Sequence, residues 1–283
     1  MRVAMCRPDY FRIDYELSTN PLMNKNRQPE QALAMTQWFE LYRTLTNCGV
    51  AITEMPPREG LPDLTFMANA GLPLPGKNVF ILSRFYHPER RGESELHKNF
   101  FSREMRSVEL HRYSDAFFEG QGDAFFWNDR RIFIGYGIRT TYRGIVAVSD
   151  ITYEENRAAS IIPLPMNRVD ERTCLGDMTF YHLDMCLLPL RKAKKFFLYA
   201  PCFRPEALRR LKERGDVILA TTEQAHRFVC NGIELPDQST VIVPWADTAT
   251  RKQFADMGYE LVVCPTGEFH VSGGGPKCLV LEI

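Results

Sequence analysis

The sequence predicts a cyclic α/β domain assembled from five similar units. Two observations carry this. The same order of elements (helix, strand, loop, strand, turn, strand) recurs along the 283 residues. A lone apolar run at residues 1–6 also matches a strand that the last unit lacks. A ring closed by both termini leaves few free sheet edges.

The elements follow in order. In the first unit, Leu33, Met35, Trp38, Phe39, Leu41, Tyr42 and Leu45 place a helix over residues 28–47, stopped by Gly49. A β-rich run at 50–53 follows, then a strand pair at 64–70 and 79–82 around a polar turn at 75–78. The second unit has a charged amphipathic helix at 88–105 and a strand at 107–110. Its strand pair lies at 124–127 and 132–136. In the third, the stretch 140–159 holds a helix at 150–159, followed by strands at 161–164, 185–190 and 196–199. The fourth helix, 205–214, starts at a Pro and ends at Gly215. Strands at 217–220, 232–235 and 240–243 complete that unit. The fifth has a helix at 248–257 ended by Gly258, a strand at 261–264 and a strand at 279–283, for which residues 1–6 supply the partner. No Pro/Ser-rich linker interrupts the series, so residues 1–283 read as one domain.

Composition narrows the function. Lys plus Arg and Asp plus Glu both number 35, giving zero formal net charge, which argues against a dedicated nucleic-acid binder. At 45% hydrophobic and 25% charged, the chain has the composition of a folded protein. No apolar run approaches the ~20 residues of a membrane helix. The start, Met1-Arg2-Val3-Ala4-Met5-Cys6-Arg7-Pro8, lacks the apolar stretch of a signal peptide. None of the eight Cys forms a C-x-x-C pair, so neither a zinc ribbon nor a dense disulfide framework is expected. A reduced, cytoplasmic protein is the simplest expectation, its thiols mostly buried small hydrophobes.

The informative polar residues fall just before or within the first strand of each pair. They are Asp63 and Asn69, then Glu119 and Asp123, then His182 and Asp184, then Asn231, and finally Cys278 after Gly273-Gly274-Gly275-Pro276-Lys277. Equivalent positions in a ring of units point to its centre. Each residue alone has a plainer reading. A single Cys is usually a buried hydrophobe, His182 a hydrogen-bonded core residue, and Asp63 after Pro62 a turn former. Recurrence at matching places favours one shared pocket. A thiolate is a strong nucleophile. A nearby His protonates a leaving amine and then activates water. Carboxylates orient that His and hold a planar cation by paired hydrogen bonds. Such a pocket suits a cationic amidine better than a peptide or ester. Metal-ligand spacing is lacking, so no catalytic metal is expected. The glycine run lacks the Lys-Ser/Thr of a phosphate loop, and no organic cofactor is implied.

At these residues the chain resembles the guanidine-modifying superfamily of arginine deiminases, dimethylargininases and amidinotransferases. Phe66-Met67-Ala68-Asn69 resembles its first guanidinium-binding strand and Glu119-Gly120-Gln121-Gly122-Asp123 its E-G-G-D element. His182-Leu183-Asp184 resembles the H-x-D element, and Gly275-Pro276-Lys277-Cys278 the nucleophile loop. The resemblance spans essentially the whole chain and implies a five-bladed α/β propeller, or pentein, of ββαβ units around a central active site.

It also implies roles. Cys278 would attack the guanidinium carbon and form an amidino thioether. His182 would protonate the departing amine and then take a proton from water, supported by Glu119. Asp184 would bind guanidinium nitrogens, with Asp63 sharing that task or orienting a neighbour, and Asp123 and Asn231 join the candidate substrate contacts. Arg139 and Arg90 look like the clamp for a substrate α-carboxylate, a task that suits the planar Arg fork. Asn69 stands where arginine deiminases carry Asp. The Asn is similar to that of arginine dihydrolases, as is the segment Asn20-Pro21-Leu22-Met23, in which Asn20 would contact substrate.

The implied partner is therefore a small guanidine, arginine or a methylated arginine, cleaved at a C–N bond. An amidinotransferase and a non-catalytic binding propeller remain alternatives at this level. Oligomeric state is not legible in the sequence.

Overall fold

The computed structural model describes residues 1–110, 114–167 and 180–283. It forms five three-stranded sheets arranged as blades of a ring. The chain begins with β1 (Arg2–Cys6), α1 (Gln31–Asn47) and β2 (Ala51–Met55). The next blade is β3 (Gly71–Pro73), β4 (Val79–Leu82), α2 (Glu93–Phe101) and β5 (Arg106–Val108). A single helical turn, α3 (Gly120–Asp123), leads into β6 (Ala124–Asn128), β7 (Arg131–Tyr136), α4 (Tyr142–Glu155) and β8 (Ser160–Pro165). Then come β9 (Leu187–Leu190), β10 (Lys195–Leu198), α5 (Pro205–Lys212) and β11 (Asp216–Leu219). After the short α6 (Thr222–His226), the last complete unit is β12 (Ile233–Leu235), β13 (Thr240–Val243), α7 (Thr248–Asp256) and β14 (Glu260–Val263). The chain ends with α8 (Gly267–His270) and β15 (Leu281–Glu282).

Every blade has one plan. Two strands pair antiparallel, a helix crosses over, and the third strand lies parallel to the second. The closing blade takes its strands from both ends of the chain. β15 pairs antiparallel with β1 (Val3 with Glu282, Ala4 with Leu281), and β2 runs parallel to β1. The expected ring closure through residues 1–6 is therefore present.

Apolar stripes fix the helices against the sheets. In α1 the buried apolar positions are Ala34, Trp38, Leu41 and Leu45, an alternating four-and-three spacing that lays one face on the blade. Leu33 and Phe39, which the sequence pattern also enlists, are exposed on other faces. Between blades, aromatic rings interlock. Trp127 stacks on Phe196 of the next blade at 4.2 Å, while Phe125 stacks on its own cross-strand partner Phe133 at 5.1 Å.

Three sequence expectations are corrected. The helix expected at 150–159 starts eight residues earlier, at Tyr142. Thr141 caps it by accepting from Gly144 N, and a side chain at Gly144 would collide with the Phe117 carbonyl. Its β-branched residues bury a face, and that packing overrides weak helix propensity. The charged helix expected over 88–105 is shorter, with a 3₁₀ turn at Pro88–Arg90 before α2. The strand expected at 64–70 is two successive 3₁₀ turns, Pro62–Thr65 and Met67–Ala70, and the strand begins only at Gly71.

That last correction builds the site. A 3₁₀ turn has three residues per turn, so side chains three apart eclipse. Asp63, Phe66 and Asn69 thus share one side and line one cavity. Similar short turns precede the hairpins of three other blades, at α3, Leu183–Met185 and Val229–Asn231.

Candidate active site

Cys278 lies in the turn before β15, 5% exposed. Its Sγ donates to Asp184 Oδ2 at 3.3 Å and accepts from Asn231 Nδ2 at 3.2 Å. Asn231 is fully buried and clamps the nucleophile loop. Its Oδ1 accepts from the backbone N–H groups of Lys277 (3.0 Å) and Cys278 (3.3 Å), and its Nδ2 also donates to the Asp184 carbonyl. Burial, with the Asp184 charge beside it, pushes the Cys278 thiol well above its ordinary range. Burial likewise pushes the Asp184 carboxyl up to about 7, against the pull of Lys277 and the Cys278 hydrogen bond. Asp184 Oδ1 is buried without a partner.

His182 is held from behind. Its Nε2 lies 2.7 Å from Glu119 Oε2, which also accepts from Arg139 Nη1 at 3.1 Å. Glu119 Oε1 accepts from Tyr86 N at 3.0 Å. Glu119 has no exposed surface. Burial alone would raise its carboxyl, but Arg139, His182 and Arg90 together hold it well below the usual carboxylate range. An ionised carboxylate only accepts, so Nε2 carries the proton and Nδ1 is the ring nitrogen that Glu119 leaves unbound. Asp123 fixes the adjacent backbone. Its two oxygens accept from Leu183 N (3.1 Å) and Thr140 Oγ1 (2.6 Å). Gly122 packs so close to Asn69 Nδ2 and the His182 ring that a Cβ there would clash with the amide.

Two buried arginines flank the cavity. Arg90 makes a bidentate pair with Glu93 (2.7 and 2.8 Å) and donates to Asn69 Oδ1 (2.9 Å) and the Asp63 carbonyl (3.2 Å). Asn69 Nδ2 donates in turn to the Glu119 carbonyl at 3.3 Å. Arg139 lies over the Tyr181 ring at 4.4 Å and donates from Nε to Thr19 Oγ1 at 2.7 Å. Asp63 accepts from Tyr15 OH at 2.8 Å and keeps Oδ1 buried without a partner. Burial raises the Asp63 carboxyl, opposed by Arg90 and Tyr15.

The cavity is lined by Asp63, Asn69, Arg90, Arg139, His182 and Cys278, with Asn20, Leu17, Phe66, Tyr181 and the 272–274 backbone closing it. It holds about 20 Å³, little more than the ~10–15 Å³ that one water needs. Asn20 ties its roof, donating to the Ser272 carbonyl (2.9 Å) and Tyr181 OH (3.2 Å).

The predicted residues thus converge, in two layers. Glu119, Asp123, Asp184 and Asn231 stand behind the wall, bonded to residues that line it or to their backbone. For Asp123 and Asn231 this corrects the expectation of substrate contact, because their polar atoms are taken up by protein partners. Sequence reasoning missed Tyr15, Thr19 and Tyr181. Tyr15 and Thr19 sit in an aperiodic N-terminal segment whose one singled-out residue is Asn20, and a polar residue in a long loop is the available signal. Among the described residues no three His, Cys, Asp or Glu converge as metal ligands, and no helix is long and apolar enough to cross a membrane. Seven of the eight Cys are described, none in a disulfide. Cys174 lies outside the described residues.

Comparison with known proteins shows the family. Over its full length the chain is 33% identical to a bifunctional arginine dihydrolase/ornithine cyclodeaminase of Synechocystis sp., of which it covers 38%. The chain therefore spans less than half of that relative. It is 29% identical to the N(G),N(G)-dimethylarginine dimethylaminohydrolase of Mycobacterium tuberculosis, covering 100% of this chain and 85% of that one. Among solved structures, the N-terminal domain of a cyanobacterial arginine dihydrolase bound to product superposes with a TM-score of 0.86 and 31% identity. That match covers 99% of this chain and 96% of the domain. The same domain has also been solved covalently bonded to a reaction intermediate. The family model described as N,N dimethylarginine dimethylhydrolase, eukaryotic, matches residues 7–283. Fold and sequence agree, and the chain belongs to the N,N-dimethylarginine dimethylhydrolase family.

Proposed function

We propose that this protein hydrolyses guanidine C–N bonds of arginine through a covalent amidino intermediate on Cys278, as an arginine dihydrolase does. The observation that carries this reading is the closed cavity that Cys278, His182, Asp63 and Arg139 share, with Asp184 bonded to the nucleophile's sulfur.

The guanidinium enters beside Asp63, whose Oδ1 is unpartnered, and faces the Cys278 sulfur that Asp184 holds from behind. Its cation favours the ionised forms of Asp184 and the thiol, both of which burial opposes. Cys278 Sγ attacks the guanidinium carbon while its proton passes to His182. His182, with Glu119 stabilising its charged form, delivers that proton to one nitrogen. The C–N bond breaks, ammonia leaves and an amidino thioether remains on Cys278. His182 then takes a proton from water, hydroxide adds to the amidino carbon, and the C–S bond breaks to give the ureido product. A second round on the ureido carbon consumes another water and yields ornithine, carbon dioxide and a second ammonia. Arg139 meets the substrate α-carboxylate, whereas Arg90, bonded to Glu93, Asn69 and Asp63, holds the guanidinium-binding residues in place.

Two features favour free arginine. Buried carboxylate oxygens need N–H donors, of which dimethylation removes two of five, and the dihydrolase relative is the more similar of the two compared. The second reading, a dimethylargininase, is supported by the description of the matching family.

The test is a panel of arginine, dimethylarginine, citrulline and agmatine read by mass spectrometry, with Cys278→Ala alongside. Ornithine and ammonia from arginine is the expected result. Citrulline with dimethylamine from dimethylarginine alone would replace it with the second reading. Products formed only with an added amine acceptor would mean a transferase. No turnover, and no difference from Cys278→Ala, would overturn the hydrolase.

A further inference from the structure

One hydroxyl joins the roof of the cavity to the two loops that carry its arginines. Thr19 lies in the roof segment between Leu17 and Asn20, both of which line the cavity. Its Oγ1 accepts from Arg139 Nε at 2.7 Å and lies 2.8 Å from His87 Nε2. His87 is buried but does not line the cavity. It opens the 3₁₀ turn Pro88–Arg90, and its carbonyl accepts from Arg90 N at 3.3 Å.

The protons in this chain can be assigned. A guanidinium nitrogen only donates, so Thr19 Oγ1 is the acceptor from Arg139. A hydroxyl has one proton of its own, and among the described residues His87 Nε2 is the acceptor within its reach. The opposite arrangement, with Nε2 protonated, would aim two donors at one oxygen and leave the Thr19 proton without an acceptor. Burial, with the Arg139 charge nearby, pushes the His87 imidazole down to about 4, so the ring is neutral and free to accept at pH 7. Donation therefore runs from Arg139 to Thr19 to His87.

Arg139 is held at three places: Nε by Thr19, Nη1 by Glu119 at 3.1 Å, and its flat face by the Tyr181 ring at 4.4 Å. Glu119 and Tyr181 are buried, whereas Thr19 is half-buried and its hydroxyl turns freely unless something takes its proton. Arg139 Nη2 bonds to no described residue, and Arg139 lines the cavity. We propose that His87 is a positioning residue that, through the Thr19 hydroxyl, fixes the Arg139 guanidinium so that its remaining N–H groups meet a substrate α-carboxylate. The proposal deepens the reading of Arg139 as the carboxylate ligand and rests on it. His87 itself touches neither the substrate nor the reacting atoms.

The test is a double-substitution cycle on steady-state kinetics with arginine. It compares the wild type, Thr19→Val, His87→Leu and the pair, with His87→Gln alongside, each checked for folding by thermal melt. Thr19→Val and His87→Leu each raise KM about three- to tenfold, the usual worth of one hydrogen bond, and leave most of kcat. The pair loses no more than Thr19→Val alone, because His87 acts only through that hydroxyl. His87→Gln, whose amide oxygen accepts from Thr19, stays nearer the wild type than His87→Leu does. Losses that multiply in the pair, an unchanged KM in His87→Leu, or a loss confined to kcat would overturn the proposal. If His87→Leu does not fold, His87→Phe takes its place in the cycle. Calorimetry of arginine binding to Cys278→Ala separates the two levels of the argument. Binding or turnover of arginine combined with multiplied losses sinks only the role of His87. An absence of both binding to Cys278→Ala and turnover by the wild type sinks the guanidine reading and the His87 proposal together.

Discussion

Glu119 meets three donors from three parts of the chain: the Tyr86 backbone, His182 and Arg139. Its Oε2 sets which nitrogen of His182 carries the proton and stabilises the imidazolium that must form when the amine departs. Glu119→Gln keeps the shape and removes the charge. We expect kcat to fall by about 10²–10⁴, the usual worth of acid–base assistance, measured by steady-state assay. The stability effect has a definite sign. A carboxyl held below its ordinary value of 4.5 contributes stability above that value and loses it as pH falls through the depressed one. Glu119→Gln therefore lowers Tm more at pH 7 than near pH 3, and equal losses at both would contradict this account. At this scale the sequence was largely legible, because Cys278, His182, Glu119 and Asp63 recur at matching places in the units. The partners that tune them were not. Tyr15 meets Asp63 across 48 residues and Arg139 meets Thr19 across 120, and no local pattern encodes such contacts.

The elements that carry the site are short turns rather than strands. A period of two would have sent Phe66 to the face opposite Asp63 and Asn69. The 3₁₀ period of three puts all three on the cavity side. The sequence shows apolar runs there but cannot choose between these periods over four residues. The turns also stack tightly against each other. Gly122 of α3 touches both Asn69 and His182, which belong to neighbouring blades. Gly122→Ala should cost about 1–3 kcal/mol by overpacking and lower kcat at the same time, since the methyl displaces the Asn69 amide and crowds the His182 ring. A melt and an assay on one preparation check both. Full activity with an unchanged Tm would mean that the turns yield more easily than their packing indicates. The N-terminal segment forms the roof through Tyr15, Leu17, Thr19 and Asn20. The room it leaves beneath it is only about 20 Å³, less than the arginine of the proposed function requires.

The whole molecule is a ring whose seam lies inside one sheet. The sequence made this legible because the last unit lacks a strand and residues 1–6 are apolar with no local partner. Element boundaries were less clear, since packing rather than propensity starts α4 at Tyr142. Ile283 N donates to the Arg2 carbonyl at 2.9 Å, so the two ends of the described chain lie side by side. A circular permutant joining them through a short Gly/Ser linker and opened between Gly76 and Lys77, in the exposed turn before β4, should therefore fold and keep wild-type kcat. Size-exclusion chromatography and the arginine assay test this. An unfolded or inactive permutant would show that the seam needs two free ends.

That seam has a consequence for how the protein is made. Of the described strands, β1 is made before the others and finds β2 early, through the local crossover of α1. Its other edge stays open until β15 appears, almost the whole chain later. Contacts so distant in sequence form late in folding. The nucleophile sits three residues before β15, so the step that completes the ring is also the step that delivers sulfur to the cavity. Chains made only as far as β14 lack both β15 and the nucleophile, and the onset of thiol reactivity at Cys278 becomes a clock for the closing of the ring.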